Sequence, residues 1–218
     1  VLCRPAVRRP GAARARGQVI YGETRPLYLH LSKERFDEPD AERYVGWPPL
    51  REASQMKVMW DGLRNDNLQT VATDHCGWNL AQKKAGKTVD ELLPGMSNLE
   101  TLIPMLFSEG VGQGRLTLER FVEVSSTNPA KLFGMYPQKG VIAPGSDADV
   151  VIFDPNKKVT VRHRDMHSRA DYETYEGFEI KGWPTHTLSR GEIIVENGHV
   201  LGSSGRGKLL TRKRFEPL

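Results

Sequence analysis

The stretch LQTVATDHC, residues 68–76, joins a short strand-like run to three side chains that can carry out chemistry. Residues 68–72 are mostly apolar or β-branched, which predicts a short strand. Asp74, His75 and Cys76 follow its carboxyl end. Helical patterns lie on both sides, and alternating helices and strands indicate a parallel sheet or barrel. Working residues in such folds lie at the carboxyl ends of strands, so Asp74 is a candidate functional residue.

The elements around this stretch are predicted from apolar spacing, capping residues and turn residues. Helices are predicted at residues 6–17, 54–63, 98–110 and 117–124, and the pair Asn128-Pro129 is predicted to open another. A further buried strand is predicted at residues 19–21. Asn98 is the predicted N-cap of its helix, because its side chain can accept from free backbone N–H groups.

The sequence changes character after Tyr136. The stretch GVIAPGSDADVVIFDP, residues 140–155, places Gly, Pro and Asp turns around a β-branched run. This pattern of short strands and turns continues to Gly202. We therefore predict two parts: an α/β part at residues 1–137, and a β-rich part with a basic C-terminal tail at residues 138–218.

The composition is typical of a soluble globular protein, with 38% hydrophobic and 27% charged residues in a chain of 218. No apolar run is long enough to span a membrane, so a membrane is not an expected partner. The two cysteines, Cys3 and Cys76, do not suggest a disulfide scaffold. They favour a reducing compartment, and we expect a cytoplasmic protein.

The net charge is +4, and basic residues gather near the two ends of the chain. This pattern fits either a patch that binds nucleic acid or another anionic surface, or ordinary solvated side chains. We favour the second interpretation, because no aromatic side chains alternate with the N-terminal arginines to stack on bases. Nucleic acid is therefore not an expected partner.

Asp74, His75 and Cys76 do not predict a complete metal site by themselves. Neighbouring side chains of an extended strand point to opposite sides, and zinc requires three or four converging ligands. The sequence contains no His-x-His and no Cys-x-x-Cys that could supply the rest. We expect His75 to pack or to form a hydrogen bond, and Cys76 to be a small buried residue rather than a nucleophile.

Five stretches resemble, in the same order, those of dihydropyrimidinases and D-hydantoinases, which are cyclic amidohydrolases. They are VIYGETRPLYLHLS (residues 19–32), YVGWPPLRE (44–52), TDHC (73–76), STNPAKLFGMYPQKGVIAPGSDADVVIFDP (126–155) and DYETYEGFEIKGWPTHTLSRGEIIVENG (171–198). The GSDAD turn is shared across amidohydrolases, whereas YGET, PPLRE and the DY and YEG pairs are more specific. The resemblance extends over nearly the whole chain.

This resemblance implies the C-terminal part of an amidohydrolase (β/α) barrel, followed by the C-terminal strands of a small β-sandwich. An intact barrel takes about 250 residues, so the barrel is expected to be incomplete in this chain. Family members hydrolyse a cyclic amide with two divalent metal ions, usually zinc. Of the family's metal ligands only the last, an Asp, has a counterpart here, which is Asp74. We therefore expect hydrolase activity in the intact enzyme and an inactive fragment in this chain.

The resemblance also assigns roles to three residues. It implies that Asp74 is both a metal ligand and the catalytic base, which returns a proton to the leaving ring nitrogen. Trp47 stands where the family usually has a Ser that contacts the substrate, so Trp47 is a candidate substrate-binding residue. Asn98 lies near a family Asn and is a second candidate, with helix capping as the alternative. The expected substrate is a small dihydropyrimidine or hydantoin, and the full-length protein is expected to be a homo-oligomer.

Two alternatives stay open at this point. The same fold occurs in non-catalytic interaction proteins, the collapsin response mediators, but these tend to lack the Asp that Asp74 matches. Sister amidohydrolases such as allantoinase and dihydroorotase are the second alternative, and the stretches DYETYEG and SRGEIIVENG favour the hydantoinase group over them. A His-x-His and a lysine on preceding strands would identify the catalytic class.

Overall fold

The computed structural model describes residues 4–215 and 217–218, which form a mixed α/β structure. Cys3 lies outside the described residues. The α-helices are α1 (Arg4–Arg14), α2 (Leu27–His30), α3 (Ala53–Arg64), α4 (Leu80–Lys83), α5 (Leu102–Leu106), α6 (Leu118–Val122) and α7 (Asn128–Leu132). The strands are β1 (Glu23–Thr24), β2 (Thr70–Val71), β3 (Val150–Thr160), β4 (Glu179–Ser189), β5 (Glu192–Glu196) and β6 (His199–Val200).

Shorter helical turns complete the set of elements. Single 3₁₀ turns lie at Lys33–Asp37, Ala41–Tyr44, Val89–Glu91 and His163–Asp165. Two π-helical turns, Phe107–Val111 and Glu123–Thr127, continue α5 and α6 respectively.

The strands form two separate sheets within the described residues. β1 and β2 pair in parallel, with Glu23 opposite Thr70 and Thr24 opposite Val71. β3, β4, β5 and β6 form an antiparallel sheet in that order. Two parallel strands are too few to close a barrel, and the antiparallel sheet follows them in the chain. The prediction of an incomplete amidohydrolase barrel followed by sandwich strands is therefore confirmed.

Helix α3 supplies much of the core beside the parallel strands. Its residues Met59, Trp60 and Leu63 are buried on one face, as the helical spacing predicts. Burying a large apolar side chain stabilises a fold by about 1.5–3 kcal/mol. Trp60 also donates from Nε1 to the backbone oxygen of Leu29 at 3.2 Å. Helix α3 therefore anchors the segment that follows β1.

The first parallel strand lies later in the sequence than predicted. Residues 19–21 form no strand, and Val19 is 63% exposed. The cause is non-local: the Gly22 N–H donates to Gln69 Oε1 at 2.8 Å, and the Gln69 N–H donates to Gly22 O at 2.7 Å. Pairing with the segment that carries β2 thus begins at Gly22. Strand β1 therefore starts at Glu23 rather than at residue 19.

The helices after the loop at residues 72–76, the Asp74 loop, also differ from the prediction. The helix expected from Asn98 begins at Leu102, so Asn98 is not its N-cap. Residues 118–132 form one continuous helical run, so Asn128 does not open a new helix. Its side-chain nitrogen instead donates to Gln69 O at 3.0 Å, which ties this run to the residue before β2.

The two predicted parts differ in secondary structure. The last α-helix, α7, ends before the 137/138 boundary, and β3 begins after it. Buried residues from both sides, such as Leu29 and Ile180, belong to one hydrophobic cluster. The division at residues 137 and 138 stays a prediction. Among the described residues, no helix combines the length and the apolar character needed to cross a membrane.

Candidate functional site

Asp74 lies just beyond the carboxyl end of β2, at the position that the sequence predicts. Its backbone has a φ of 48°, a left-handed conformation that residues other than Gly seldom adopt, so the surrounding loop must hold it there. Its side chain is 59% exposed. A carboxylate in this position can accept a proton or contribute one oxygen to a cation.

Arg25 faces Asp74 from the neighbouring strand. It directly follows β1, and because β1 and β2 are parallel, their carboxyl ends meet at one edge. Arg25 Nη1 lies 2.8 Å from Asp74 Oδ2. The same nitrogen donates to the backbone oxygen of Trp47 at 3.1 Å. Arg25 therefore joins the Asp74 loop to the segment that carries Trp47.

Trp47 and Pro48 form a neighbouring part of this site. Trp47 is 47% exposed. The Tyr28 hydroxyl donates to Pro48 O at 2.6 Å, and the Arg25 guanidinium lies 5.8 Å from the centre of the Tyr28 ring. Burial raises the pKa of Tyr28, while Arg25 acts in the opposite direction. Tyr28 thus stays protonated at neutral pH and fixes the segment beside Arg25.

Asn98 contacts the loop on both sides of Asp74. Its side-chain Nδ2 donates to Thr73 O at 3.2 Å, and its backbone N–H donates to His75 Nδ1 at 3.1 Å. Asn98 is fully buried, and its Oδ1 has no hydrogen-bond partner among the described residues. The contacts of Asn98 in this structure are therefore with the loop, and its contact with a substrate stays a prediction.

His75 and Cys76 support the loop. The bond from the Asn98 N–H makes His75 Nδ1 an acceptor, so the neutral ring carries its proton on Nε2. Burial lowers the pKa of His75, while Glu100 acts in the opposite direction. The Cys76 N–H donates to Met96 O at 3.0 Å, and burial raises the pKa of its half-buried thiol. The predicted hydrogen-bonding role of His75 is confirmed.

The residues around Asp74 do not fit a metal site on their own. In the part of the chain that the structure describes, no group of three or more His, Cys, Asp or Glu side chains could hold a metal ion. The neighbouring His75 has its Nδ1 occupied by a hydrogen bond. One carboxylate supplies only one of the three or four ligands that zinc takes. A zinc site that includes Asp74 therefore needs ligands from outside the described residues.

Arg25 and Tyr28 are residues of the candidate site that the sequence pattern does not predict. Both belong to the stretch YGETRPLYLHLS that carries the family resemblance. The predicted strand at residues 19–21 places Arg25 well beyond the strand end, whereas β1 ends directly before it. The signal that would find it is the Arg25-Pro26 pair at a turn from strand to helix, where working residues of α/β units lie.

Comparison with known proteins shows similarity along most of the chain. The family model described as the amidohydrolase family matches residues 30–194. The chain is 44% identical over 207 residues to the D-phenylhydantoinase of Escherichia coli (strain K12 / DH10B), a match that covers 94% of this chain and 45% of that protein. The D-phenylhydantoinase of Escherichia coli O1:K1 / APEC matches with the same identity and coverage.

Solved structures of similar proteins superpose closely on this chain. The dihydropyrimidinase from Brevibacillus agri NCHU1002 has a TM-score of 0.97 at 42% identity, over 100% of this chain and 48% of that chain. The L-hydantoinase (dihydropyrimidinase) from Arthrobacter aurescens has a TM-score of 0.89 at 37% identity, over 97% of this chain and 47% of that chain. The chain thus spans about half the length of the relatives it matches.

The motif order, the strand-end position of Asp74 and the superpositions agree with one another. The similarity to relatives with hydantoinase and dihydropyrimidinase names confirms the resemblance that the motifs predict. We conclude that this chain belongs to the amidohydrolase family and is similar to hydantoinases and dihydropyrimidinases over about half of their length.

Proposed function

We propose that a complete protein containing this sequence hydrolyses a small cyclic amide and thereby opens a dihydropyrimidine or hydantoin ring. The observation that carries this proposal is the exposed Asp74 carboxylate, held by Arg25 at the carboxyl edge of β1 and β2. The names of the similar enzymes from Escherichia coli and Brevibacillus agri support the substrate class. The chain spans about half of their length, so we assign the activity to the complete protein and expect this chain alone to be inactive.

Ring opening requires that a water oxygen attack the ring carbonyl carbon and that the carbon–nitrogen bond break. In our proposal, Asp74 accepts the proton that the attacking water loses and delivers it to the leaving ring nitrogen. Arg25 orients the carboxylate for both transfers through its contact with Oδ2. Zinc, the cofactor we propose for the complete site, would supply a Lewis acid through ligands that the described residues do not provide.

Trp47 and Asn98 are the proposed substrate-binding residues. Trp47 is half exposed beside Arg25, and an aromatic face can pack against a flat heterocycle. The support for Asn98 is its Oδ1, which is buried without a hydrogen-bond partner among the described residues. Because Asn98 is fully buried, reaching a ring would require the loop at residues 93–98 to move.

We further propose that the complete protein is a homotetramer in the cytoplasm. The support for association is the C-terminal tail, in which Leu209 is 98% exposed and Phe215 is 43% exposed. The tail lies against the rest of the chain, since the Lys213 N–H donates to Gly134 O at 2.8 Å. Large apolar side chains held outward in this way are suited to contact with another subunit. The proposed location rests on the low cysteine content.

The activity is tested by supplying the part of the fold that this chain lacks. The chain would be co-expressed with the segment of Escherichia coli D-phenylhydantoinase that lies outside the matched region, and hydrolysis of phenylhydantoin and dihydrouracil would be measured with added zinc. We expect turnover by the assembled pair and none by the chain alone. In the pair, Asp74→Asn should lower turnover by about 100-fold or more, because proton transfer by a positioned side chain contributes at least that much.

Asp165→Asn is the matched control for this experiment. Its side chain is also 59% exposed, and it lies in the 3₁₀ turn His163–Asp165 rather than beside Arg25. We expect this variant to keep the turnover of the unmodified pair. An associated pair without turnover would contradict the proposed activity, and wild-type turnover by Asp74→Asn would contradict the proposed role of Asp74.

A further inference from the structure

Lys83 is a lysine with no exposed surface, at the last position of α4. Lysine is rarely fully buried, because its ammonium loses hydration. The adjacent Lys84 shows the usual arrangement, since it is exposed and forms an ion pair with Asp40. Burial lowers the pKa of Lys83 to about 8, while Cys76 acts in the opposite direction. A buried ammonium of this kind needs a specific set of acceptors.

Three backbone carbonyl groups provide those acceptors. Lys83 Nζ donates to Val45 O at 2.9 Å, to Leu93 O at 3.1 Å and to Gly95 O at 2.6 Å. An ammonium has three N–H donors, so this set can use all of them. No carboxylate among the described residues forms an ion pair with Lys83, so backbone carbonyls take the place of a counter-ion.

The three carbonyl groups come from two segments that reach the Asp74 site. Val45 lies two residues before Trp47, whose backbone oxygen accepts from Arg25. Leu93 and Gly95 lie in the segment that leads to Asn98. The Gly95 N–H also donates to Val45 O at 3.0 Å. Lys83 therefore lies where these two segments meet.

The second segment is in turn bonded to the Asp74 loop. The Cys76 N–H donates to Met96 O at 3.0 Å, and the Asn98 N–H donates to His75 Nδ1 at 3.1 Å. Gly95 has a φ of 111°, and a Cβ at this position would overlap the Cys76 sulfur. The positive φ and the closeness of the Cys76 side chain therefore require Gly95 to be a glycine.

We propose that Lys83 is a positioning residue, whose buried ammonium fixes the segment at residues 45–47 and the segment at residues 93–98 against the Asp74 loop. Hydrogen bonds from a charged group are stronger than those between neutral groups, so three of them can set the geometry of loops that have little regular structure. Any effect of this positioning on turnover rests on the proposed function, whereas the positioning itself does not.

The test uses fluorine NMR of the 218-residue chain labelled with 5-fluorotryptophan. Trp47 and Trp78 report on the site, because the indole N–H of Trp78 donates to Pro94 O at 3.0 Å. Trp60 in α3 and Trp183 in β4 serve as internal references. In Lys83→Met, which keeps the apolar stem and removes the three donors, the Trp47 and Trp78 resonances should shift or broaden while the two references stay in place.

Lys84→Met is the matched control, and it should leave all four resonances unchanged because Lys84 is exposed. Unmoved Trp47 and Trp78 resonances in Lys83→Met would overturn the proposal. Collapse of all four resonances to those of an unfolded chain would also overturn it, because Lys83 would then support the whole fold rather than the site.

A second measurement needs no variant. Brief acetylation of the unmodified chain, followed by peptide mass spectrometry, should label Lys83 at least about tenfold more slowly than Lys84, because a buried amine reacts only when its surroundings open. Equal labelling of the two lysines would overturn the buried-ammonium geometry. Neither measurement uses activity, so an inactive assembled pair would count against the proposed function and leave the positioning role intact.

Discussion

Asp74 shows how much of this site depends on bonds made by its neighbours. A left-handed backbone costs about 1–3 kcal/mol for a residue other than Gly. The Asn98 bonds to Thr73 and His75, together with the bond from Cys76 to the next segment, hold the loop and offset that cost. The result is a carboxylate that is exposed and yet fixed in position.

Glu173 provides a residue-level prediction about stability and pH. It is only 3% exposed, and burial raises its pKa to about 7, with the N–H groups of Tyr175 and Thr174 acting in the opposite direction. At this carboxyl the folded chain therefore binds more protons than the unfolded chain between pH 4.5 and 7, and the contribution of Glu173 to stability falls as the pH rises through this window. Glu173→Gln removes the titration. In urea unfolding, we expect Glu173→Gln to leave the free energy of unfolding nearly unchanged at pH 5 and to raise it by up to about 3 kcal/mol at pH 8.

Glu176→Gln is the control for this prediction. Glu176 is exposed, pairs with Arg162 at 3.4 Å and accepts from the His163 N–H at 2.6 Å, a bond that a Gln side-chain oxygen can also accept. Its substitution should change the free energy of unfolding by less than about 1 kcal/mol at either pH. If Glu173→Gln changes the free energy of unfolding by the same amount at pH 5 and at pH 8, the interpretation of Glu173 is incorrect.

At the scale of elements, the contact of α3 with α1 and with Leu68, two residues before β2, depends on a glycine. A Cβ at Gly62 would lie 2.8 Å from Val7 Cγ1 and 3.0 Å from Leu68 Cδ1, both of which are closer than normal packing permits. Val7 and Leu68 are themselves buried. The absence of a Cβ at Gly62 therefore lets α1, α3 and the segment before β2 approach closely.

Gly62→Val should destabilise the chain by about 1–3 kcal/mol, the usual range for overpacking a core. The expected observation is a lower midpoint of urea unfolding with an unchanged slope. Gly207→Val is the matched control, because a Cβ at Gly207 meets no atom within 4 Å. Equal unfolding midpoints for the two variants would show that α3 does not pack as tightly as the structure indicates.

At the scale of the whole molecule, the chain spans about half the length of the relatives it matches. Asp74 is the residue of this chain that we propose as a metal ligand. The parallel strands β1 and β2 form only a small part of a barrel. The other ligands of the zinc site that we propose would have to come from another part of a complete protein.

The purified chain should therefore retain no tightly bound zinc. One carboxylate does not hold zinc against water and dialysis, and no group of three potential ligands occurs among the described residues. The check is elemental analysis of the chain after loading with zinc and dialysis into metal-free buffer, with Asp74→Asn alongside. Close to one zinc per chain, lost on the Asp74 substitution, would contradict this expectation.

The sequence by itself determined the features that depend on neighbouring residues and on motif order. Apolar spacing predicted the helix at residues 54–63, which the structure shows as Ala53–Arg64. Turn residues and β-branched runs predicted the strand-rich end of the chain. The order of the motifs identified the family, and the position of Asp74 followed from the strand before it. These signals are local, so they can be recognised without knowing which segments meet.

Only the tertiary structure decided the features that join distant segments. The start of β1 depends on the bonds between Gly22 and Gln69, and the contact of Arg25 with Asp74 depends on the parallel pairing of two strands. The sequence did not predict the burial of Lys83, because its carbonyl partners lie on segments that meet it only in the folded chain. Backbone carbonyls occur at every residue, and only folding determines which of them converge on one ammonium.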